Sequence, residues 1–413
     1  MTQKTRKFLT LTLLAGAWLP FLIPAASPCT LAIVSSKAAK NGRVLMWKNR
    51  DTAEVDNKLM HFTGRKYAFT AVINAADANP EDVWGGLNTA GFAIMNSQAD
   101  DLADASKKLN GAGNGALMKL ALGECATVHD FEALLVREKG KFDLTANFGV
   151  IDAAANACFF ETSISSFQKF DVRDPRVAPS GTIVRTNFAF TSPDPMEGGG
   201  FIRFERISHV IEAARGANRI DARFILQEAA RDLVHEKLHS YPLTRPLPED
   251  PAEPLFINTN DTINRNSSVS VIVFEGAPSP EKAHLATMWV ILGQPVAGVA
   301  VPVWPSAGQV PALAAGPGTA PLNDFARALV SYLYPDRRGR MPQYLNVNRL
   351  RTYGGEGVRA KILRIENEVM ARTAEKLVEW EKRRPAAAEV AAFQESAAVA
   401  VYEALKKEFP DIR

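Results

Sequence analysis

A cysteine opens the first strand-like run of this chain, and what precedes it reads as a removable leader. The run Cys29-Thr30-Leu31-Ala32-Ile33-Val34 is followed by Asn41-Gly42 and then by Arg43-Val44-Leu45-Met46-Trp47-Lys48-Asn49-Arg50-Asp51. Apolar, β-branched segments on either side of Asn-Gly predict a hairpin with Cys29 at the head of its first strand. Residues 1–28 carry Lys4, Arg6 and Lys7, an apolar stretch from Phe8 to Ile23, and small residues Ala25-Ala26-Ser27, the layout of a secretory signal peptide. Cleavage is expected after Ala26, with Ser27-Pro28 then removed by attack of the Cys29 thiol. Cys29 would thereby carry both a thiol and a free α-amine. Such an amine ionises at about 7.7–8.0 and a thiol at about 8.5, so near neutral pH the amine can act as base toward its own thiol.

The remaining composition narrows the function classes. Hydrophobic residues make up 46% and charged residues 23% of the 413 residues, the balance of a folded globular chain with a substantial core. Net charge is only +3, and the basic runs Arg337-Arg338-Gly339-Arg340 and Lys382-Arg383-Arg384 are short, which argues against a nucleic-acid partner. No run after the leader has the length of a membrane span, so the mature chain is expected to be exported, periplasmic or secreted, without a membrane partner. Three cysteines leave an odd one, which marks either a reactive thiol or an intermolecular bridge, and Cys29 is the natural odd one out; Cys125 and Cys158 could pair, but two buried free thiols are the expectation. No His, Cys or acidic residues fall at a recognised ligand spacing, so neither a metal nor a cofactor is expected.

Strand and turn punctuation recurs from Arg65 to Ala75 and from Trp84 to Gln98, where a turn at Asn88 to Gly91 leads into a strand closed by Asn96. Helical patterns follow at Ala116 to Leu122 and Val128 to Arg137, the second opened by the capping pattern Thr127-Val128-His129-Asp130. A hairpin is predicted from Ala146 to Glu161, turning at Asp152 to Asn156, then a strand from Thr182 to Asn187. Helices are predicted over Phe201 to Arg215 and Ala222 to His235, and strands over Ser268 to Phe274, Ala286 to Leu292 and Val296 to Pro302. Two blocks of strands with helices between and beside them predict an α+β chain of stacked sheets flanked by helices. From Val358 the pattern is purely helical, interrupted at Pro385, and predicts two antiparallel helices whose spare face is packing or dimer surface. The division expected is a leader over 1–28, a main domain over 29–350 and a helical C-terminal extension over 351–413.

Seven segments, taken in order, carry a family likeness. Cys29-Thr30, Lys48-Asn49-Arg50-Asp51, Gly86-Leu87-Asn88-Thr89-Ala90-Gly91-Phe92, Cys125 to Phe131, Asn147 to Asp152, Thr186-Asn187-Phe188 and Arg203-Phe204-Glu205-Arg206 resemble the Ntn (N-terminal nucleophile) amide hydrolases that include penicillin V acylase, choloylglycine hydrolase and isopenicillin N acyltransferase. The pattern spans roughly Cys29 to Leu292, and the isopenicillin-acyltransferase-like branch is the nearer match. The resemblance implies a four-layer αββα sandwich and a small-molecule acyl amide substrate. It departs at Lys48, where acylases of this group often carry arginine; an ammonium does not fork bidentately as a guanidinium does.

In the roles so implied, the Cys29 thiol attacks and its α-amine shuttles the proton. Asp51 holds the ammonium, the Asn187 side-chain amide donates to the oxyanion with Asn96 as a second donor, and Arg203 fixes Asp51 or the Cys29 region. Lys48 and Arg50 are expected to contact substrate. Taken singly, Asp51 and Asn187 could be turn residues at strand ends, and a cysteine behind a leader could be a lipid-attachment point. His129 and His209 lie in helical patterns and are expected at surface or core positions. The leading expectation is an exported cysteine hydrolase of a linear, non-peptide amide. Its alternatives are an acyltransferase using the same thioester, and a non-catalytic exported binding protein or lipoprotein.

Overall fold

Strands that are buried on both faces can only sit between two packed layers, and the first two strands of this chain are of that kind. In the computed structural model, which describes residues 28–105, 107, 109, 111–244, 248, 250, 253–335 and 343–412, strands β1 (Cys29–Val34) and β2 (Leu45–Asp51) are buried along their whole length. Residues 1–27 of the leader and the Arg337 to Arg340 run lie outside the described residues. Strands β3 (Asn57–Phe62), β4 (Phe69–Asn74), β5 (Gly85–Asn88), β6 (Ala93–Gln98), β7 (Thr145–Ile151), β8 (Ala157–Ser163) and β9 (Phe167–Asp171) follow one another in a seven-stranded antiparallel meander. Helices α1 (Asn114–Glu124) and α2 (Val128–Arg137) interrupt it between β6 and β7. Strand β10 (Thr182–Arg185) and helix α3 (Phe201–Gly216) come next, then the short helix α4 (Ala222–Phe224), running into a π-turn at Ile225–Ala229. Strand β11 (Phe256–Asn258) precedes β12 (Ser268–Glu275), β13 (Thr287–Leu292) and β14 (Val301–Val303). The second sheet has the order β10-β1-β2-β12-β13-β14. The chain ends with α5 (Pro321–Leu333), β15 (Tyr344–Asn346), which pairs with β11, and helices α6 (Val347–Thr352), α7 (Val358–Lys382) and α8 (Ala387–Glu408).

Three apolar clusters order these elements. Leu31, Ile33, Met46 and Ile272 of the six-stranded sheet pack with Leu59, Val72, Leu87, Met95 and Phe159 of the meander. On the other face of the six-stranded sheet, Ala32, Val34, Leu45 and Trp47 meet Ile207 and Ile211 of α3 and Ile225 and Leu226 of the π-turn. On the other face of the meander, Phe69, Ile94, Phe148 and Phe160 meet Leu117 and Leu122 of α1 and Phe131 and Leu134 of α2. Helix α2 starts on a full capping box, with Thr127 Oγ1 accepting from Asp130 N and Asp130 Oδ2 accepting from Thr127 N. The tail helices bury Ile362, Ile365, Val369, Val401 and Leu405 in the same cluster that lies between the sheets.

Several predicted boundaries are corrected. The segment Ala222 to His235 is not one helix: Asn49 Nδ2 takes the Ala230 carbonyl and Arg231 Nη1 takes that of Leu226, so these acceptors are satisfied outside a helical ladder. Val296 to Pro302 covers part of a 3₁₀ turn and the start of the short strand β14 rather than a full strand. Asn96 lies inside β6, because pairing with β7 continues to Gln98. Asn187 falls beyond β10, bridged to Gly199.

Arg231 and Glu366 tie α7 to the body of the fold through a buried bidentate ion pair at 2.9 and 2.8 Å, and Glu366 also accepts from Ala300 N at 2.9 Å. Glu366→Ala would leave the guanidinium charge buried without its counter-ion. A loss of roughly 3–5 kcal/mol is expected in urea-unfolding free energy, whereas a loss below about 1 kcal/mol would mean that the pair adds little.

Candidate active site

Antiparallel pairing of β1 with β2 sets Cys29 opposite Arg50 and Leu31 opposite Lys48. Because side chains alternate along a strand, Cys29, Lys48 and Arg50 project between the sheets, as Leu31 and Met46 do, while Thr30, Asn49 and Asp51 project toward α3, as Trp47 does. The hairpin end is thus chemically two-sided.

On the inner side, Cys29, Lys48, Arg50, Trp84, Asn96, Gln98 and Asn114 line a small cavity of about 100 Å³. Lys48 Nζ donates to Trp84 O and to Asn96 Oδ1, each at 2.9 Å. Burial brings the Lys48 pKa down to about 8, although the neighbouring Cys29 sulfur opposes the shift. Arg50 donates to Asn57 Oδ1 and, at 2.8 Å, to Asn74 Oδ1, and its guanidinium stacks 4.6 Å above the Trp84 ring. Burial lowers its pKa to about 10. All four of these acceptors are neutral, and among the described residues no carboxylate joins the two cations in the cavity lining. Asn96 spends its oxygen on Lys48, and its Nδ2 makes no hydrogen bond among the described residues.

At the other side the Cys29 backbone is gripped. Its N–H donates to Asn187 Oδ1 at 2.8 Å, and its carbonyl accepts from Arg203 Nη1 at 2.6 Å. Arg203 also reaches Thr30 Oγ1 at 3.0 Å and Asn187 Oδ1 at 2.9 Å, and burial lowers its pKa to about 10. Gly200 makes this approach feasible: it starts α3 at φ 83°, and a Cβ there would lie 2.5 Å from Arg203 Nη2. Asp51 Oδ1 accepts from Ser268 Oγ at 2.6 Å, whereas Oδ2 is buried with no hydrogen bond and lies 4.0 Å from Arg265 Nη1. Burial raises the Asp51 pKa, and Arg265 and Arg203 oppose the rise.

The segment bearing Asn187 is held by the meander. Ser97 Oγ donates to Thr186 O, and Asn147 Nδ2 donates to Phe188 O at 3.1 Å. Glu161, paired with buried Arg185 at 3.0 Å, accepts from Phe190 N and Thr191 N. Asn187 Nδ2 donates to Gln98 O at 2.9 Å, so this asparagine links β6 of one sheet to the first residue of β1 in the other.

The structure therefore gathers Cys29, Lys48, Arg50, Asn96, Asn187 and Arg203 around one hairpin end. Two differ from expectation in how they point. Asn187 turns its oxygen to the Cys29 nitrogen, because Arg203 and Cys29 N are both donors, and it spends one amide hydrogen on Gln98. Asp51 has its carboxylate on Ser268 and near Arg265, on the face away from the thiol. Trp84, Gln98 and Asn114 were not anticipated as cavity lining, nor Arg265 and Ser268 as Asp51's neighbours. Only the unusual Asn264-Arg265-Asn266-Ser267-Ser268 polar stretch before a strand hints at the latter.

Cys125 and Cys158 are free and buried in the cluster under α1 and α2, as expected. Burial pushes both thiols up to about 12, which makes them poor nucleophiles. His129 and His209 are exposed on α2 and α3. Among the described residues, no group of three or more His, Cys, Asp or Glu side chains is placed to hold a metal ion.

No family model matches the chain, and no curated protein matches it. Among solved structures, it is similar to two variants of the conjugated bile acid hydrolase from Clostridium perfringens, each at 10% identity over 64% of this chain and 89% of the other, with TM-scores of 0.39 and 0.38. It is also similar to penicillin V acylase from Agrobacterium tumefaciens, at 14% identity over 67% of this chain and 86% of the other, with a TM-score of 0.36.

Proposed function

We propose that the chain is an exported cysteine N-terminal-nucleophile hydrolase that cleaves a linear, non-peptide amide of an acylated amine. The observation that carries this reading is the grip on Cys29. Its nitrogen is held by Asn187 Oδ1 and its carbonyl by Arg203, while its side chain enters a cavity edged by two buried cations and an unspent amide donor. A structural cysteine at a strand start has no need of such a frame. In this reading the sheets and helices form a four-layer αββα sandwich with a helical C-terminal extension, and residues 1–28 are removed during export and maturation.

Release of Pro28 would turn the Cys29 peptide nitrogen into an amine, still facing Asn187 Oδ1. The amine accepts the thiol proton as Sγ bonds to the substrate carbonyl carbon, and Asn96 Nδ2 donates to the oxygen that becomes negative. The C–N bond then breaks, with the proton passing from the amine to the leaving nitrogen. Water then gives a proton to the amine as its oxygen bonds to the thioester carbonyl carbon, the S–C bond breaks, the proton returns to Sγ, and the acid leaves. Asp51, with Oδ2 buried and unbonded, supplies negative charge behind the ammonium formed in each half-reaction.

The active chain is expected to begin at Cys29 by N-terminal sequencing, and a slow amide substrate quenched early should leave its acyl group on Cys29 in a peptide map. Fully active protein beginning at Ser27, or an acyl label on Cys125 or Cys158, would overturn the reading. Supplying a second amine separates the outcomes of the thioester: free acid identifies hydrolysis, and a new amide identifies acyl transfer.

A further inference from the structure

We infer that Lys48 is a positioning residue: its ammonium fixes the oxygen of Asn96, so that the amide NH2 of Asn96 is presented to the carbonyl oxygen of an acyl group on Cys29. The inference rests on Cys29 being the nucleophile, and it changes the role of Lys48 from substrate contact to control of the oxyanion donor.

An asparagine amide can be turned either way by 180° with little change in shape, and only its partners decide which end faces a site. Here the partner of Asn96 is an ammonium, which can donate and cannot accept. Nζ sits 2.9 Å from Asn96 Oδ1 and is anchored by a second bond of 2.9 Å to Trp84 O, so β2 holds a residue of β6 across the gap between the sheets. With Oδ1 committed, Nδ2 has no partner among the described residues, and Asn96 shares the cavity wall with Cys29. By contrast, Asn187 has already given an amide hydrogen to Gln98 O. A purely structural link between two carbonyl oxygens would be met by a neutral amide, without the desolvation cost of a buried charge beside the like charge of Arg50.

The device has a built-in alkaline limit. The titratable and charged groups facing Lys48 are Cys29 on β1 and Arg50 on its own strand, with Asp51 acting more weakly from the other face of β2, while the residues it touches across the gap, Trp84 and Asn96, carry no charge. Since Lys48 titrates at about 8, raising the pH through that value leaves a neutral amine with a lone pair. A lone pair can accept from Nδ2, so the amide is free to invert and withdraw its donor from the cavity.

The test uses the mature protein with two reagents that both consume Cys29. Acylation by 4-nitrophenyl acetate needs an oxyanion donor, whereas alkylation by iodoacetamide does not, so the ratio of the two rate constants cancels the thiolate fraction. In the parent this ratio should fall roughly 10-fold or more as pH rises from 7 to 9.5. Lys48→Arg should keep the ratio flat over that range, because a guanidinium stays charged. Lys48→Met should lower the ratio about 100-fold at pH 7, as should Asn96→Ala, and the double variant should be no worse than either single one. Circular dichroism of each variant separates loss of fold from loss of the donor. A parent ratio that stays flat, an alkaline fall that persists in Lys48→Arg, or multiplicative losses in the double variant would overturn the positioning role. Acetyl and carbamidomethyl groups found elsewhere than on Cys29 would instead overturn the nucleophile, and the role of Lys48 with it.

Discussion

Cys29→Ser is expected to lose amide hydrolysis by several orders of magnitude while retaining the fold. Serine keeps an attacking atom in the same place, but a hydroxyl is a far weaker acid than a thiol, and an amine cannot appreciably deprotonate it. The neighbours of the site do not compensate: Lys48 and Arg50 are donors to neutral oxygens, and among the described residues no imidazole or carboxylate lines the cavity to act as an external base. Self-removal of Ser27-Pro28 should fail by the same logic. Mass spectrometry of the purified variant should therefore find a chain that begins at Ser27 and, after incubation with substrate, no acyl adduct. Because serine is smaller than cysteine by little more than the difference between oxygen and sulfur, the melting temperature should change by only a few degrees. Brisk hydrolysis by the serine variant would mean that another group attacks, and the frame around Cys29 would need a different purpose.

Asn187→Ala is expected to reduce turnover by roughly 100-fold or more, in line with the usual contribution of a positioned proton-transfer group. The substitution removes the acceptor that orients the Cys29 nitrogen, and it strips Arg203 Nη2 and Gln98 O of a partner in a buried setting. The second effect should also destabilise the fold, by about 1–3 kcal/mol for each buried polar group left unpaired. Asn187→Asp distinguishes the two effects: it retains an oxygen that faces Cys29 N and Arg203 but replaces the amide that donates to Gln98 O with a charged oxygen. It should recover part of the lost turnover if the oxygen is what matters, and none if Asn187 acts through its amide hydrogens. Turnover within a few fold of the parent in the alanine variant would remove Asn187 from the mechanism.

Much of the architecture was legible in the residues themselves. Alternation and Asn-Gly placed the β1–β2 hairpin with Cys29 at its head, Thr127 and Asp130 marked the start of α2, and the spacing of apolar residues after Val358 gave both tail helices. These signals are local, set by backbone propensity, capping and the period of side-chain burial, so a window of a dozen residues contains them. A strand period of two puts Lys48 and Arg50 on one face and Asn49 and Asp51 on the other, but which face carries the thiol is set by the register that brings Cys29 opposite Arg50, and that register belongs to the tertiary structure. What the tertiary structure alone decided is where the polar ends point. Asn187 lies 158 residues from Cys29 in the chain, and its oxygen rather than its amide meets Cys29 N only because Arg203 of α3 approaches from the same side with donors. Asn96 turns its amide into the cavity only because Lys48 of the opposite sheet arrives with hydrogens and no lone pair. The helix predicted beyond Ala222 gives way at Ala230 because Asn49 and Arg231 claim its carbonyls. An amide or a carbonyl bonds to whatever partner the packing of layers brings within 3 Å, and that choice, made between elements far apart in sequence, has no local signature.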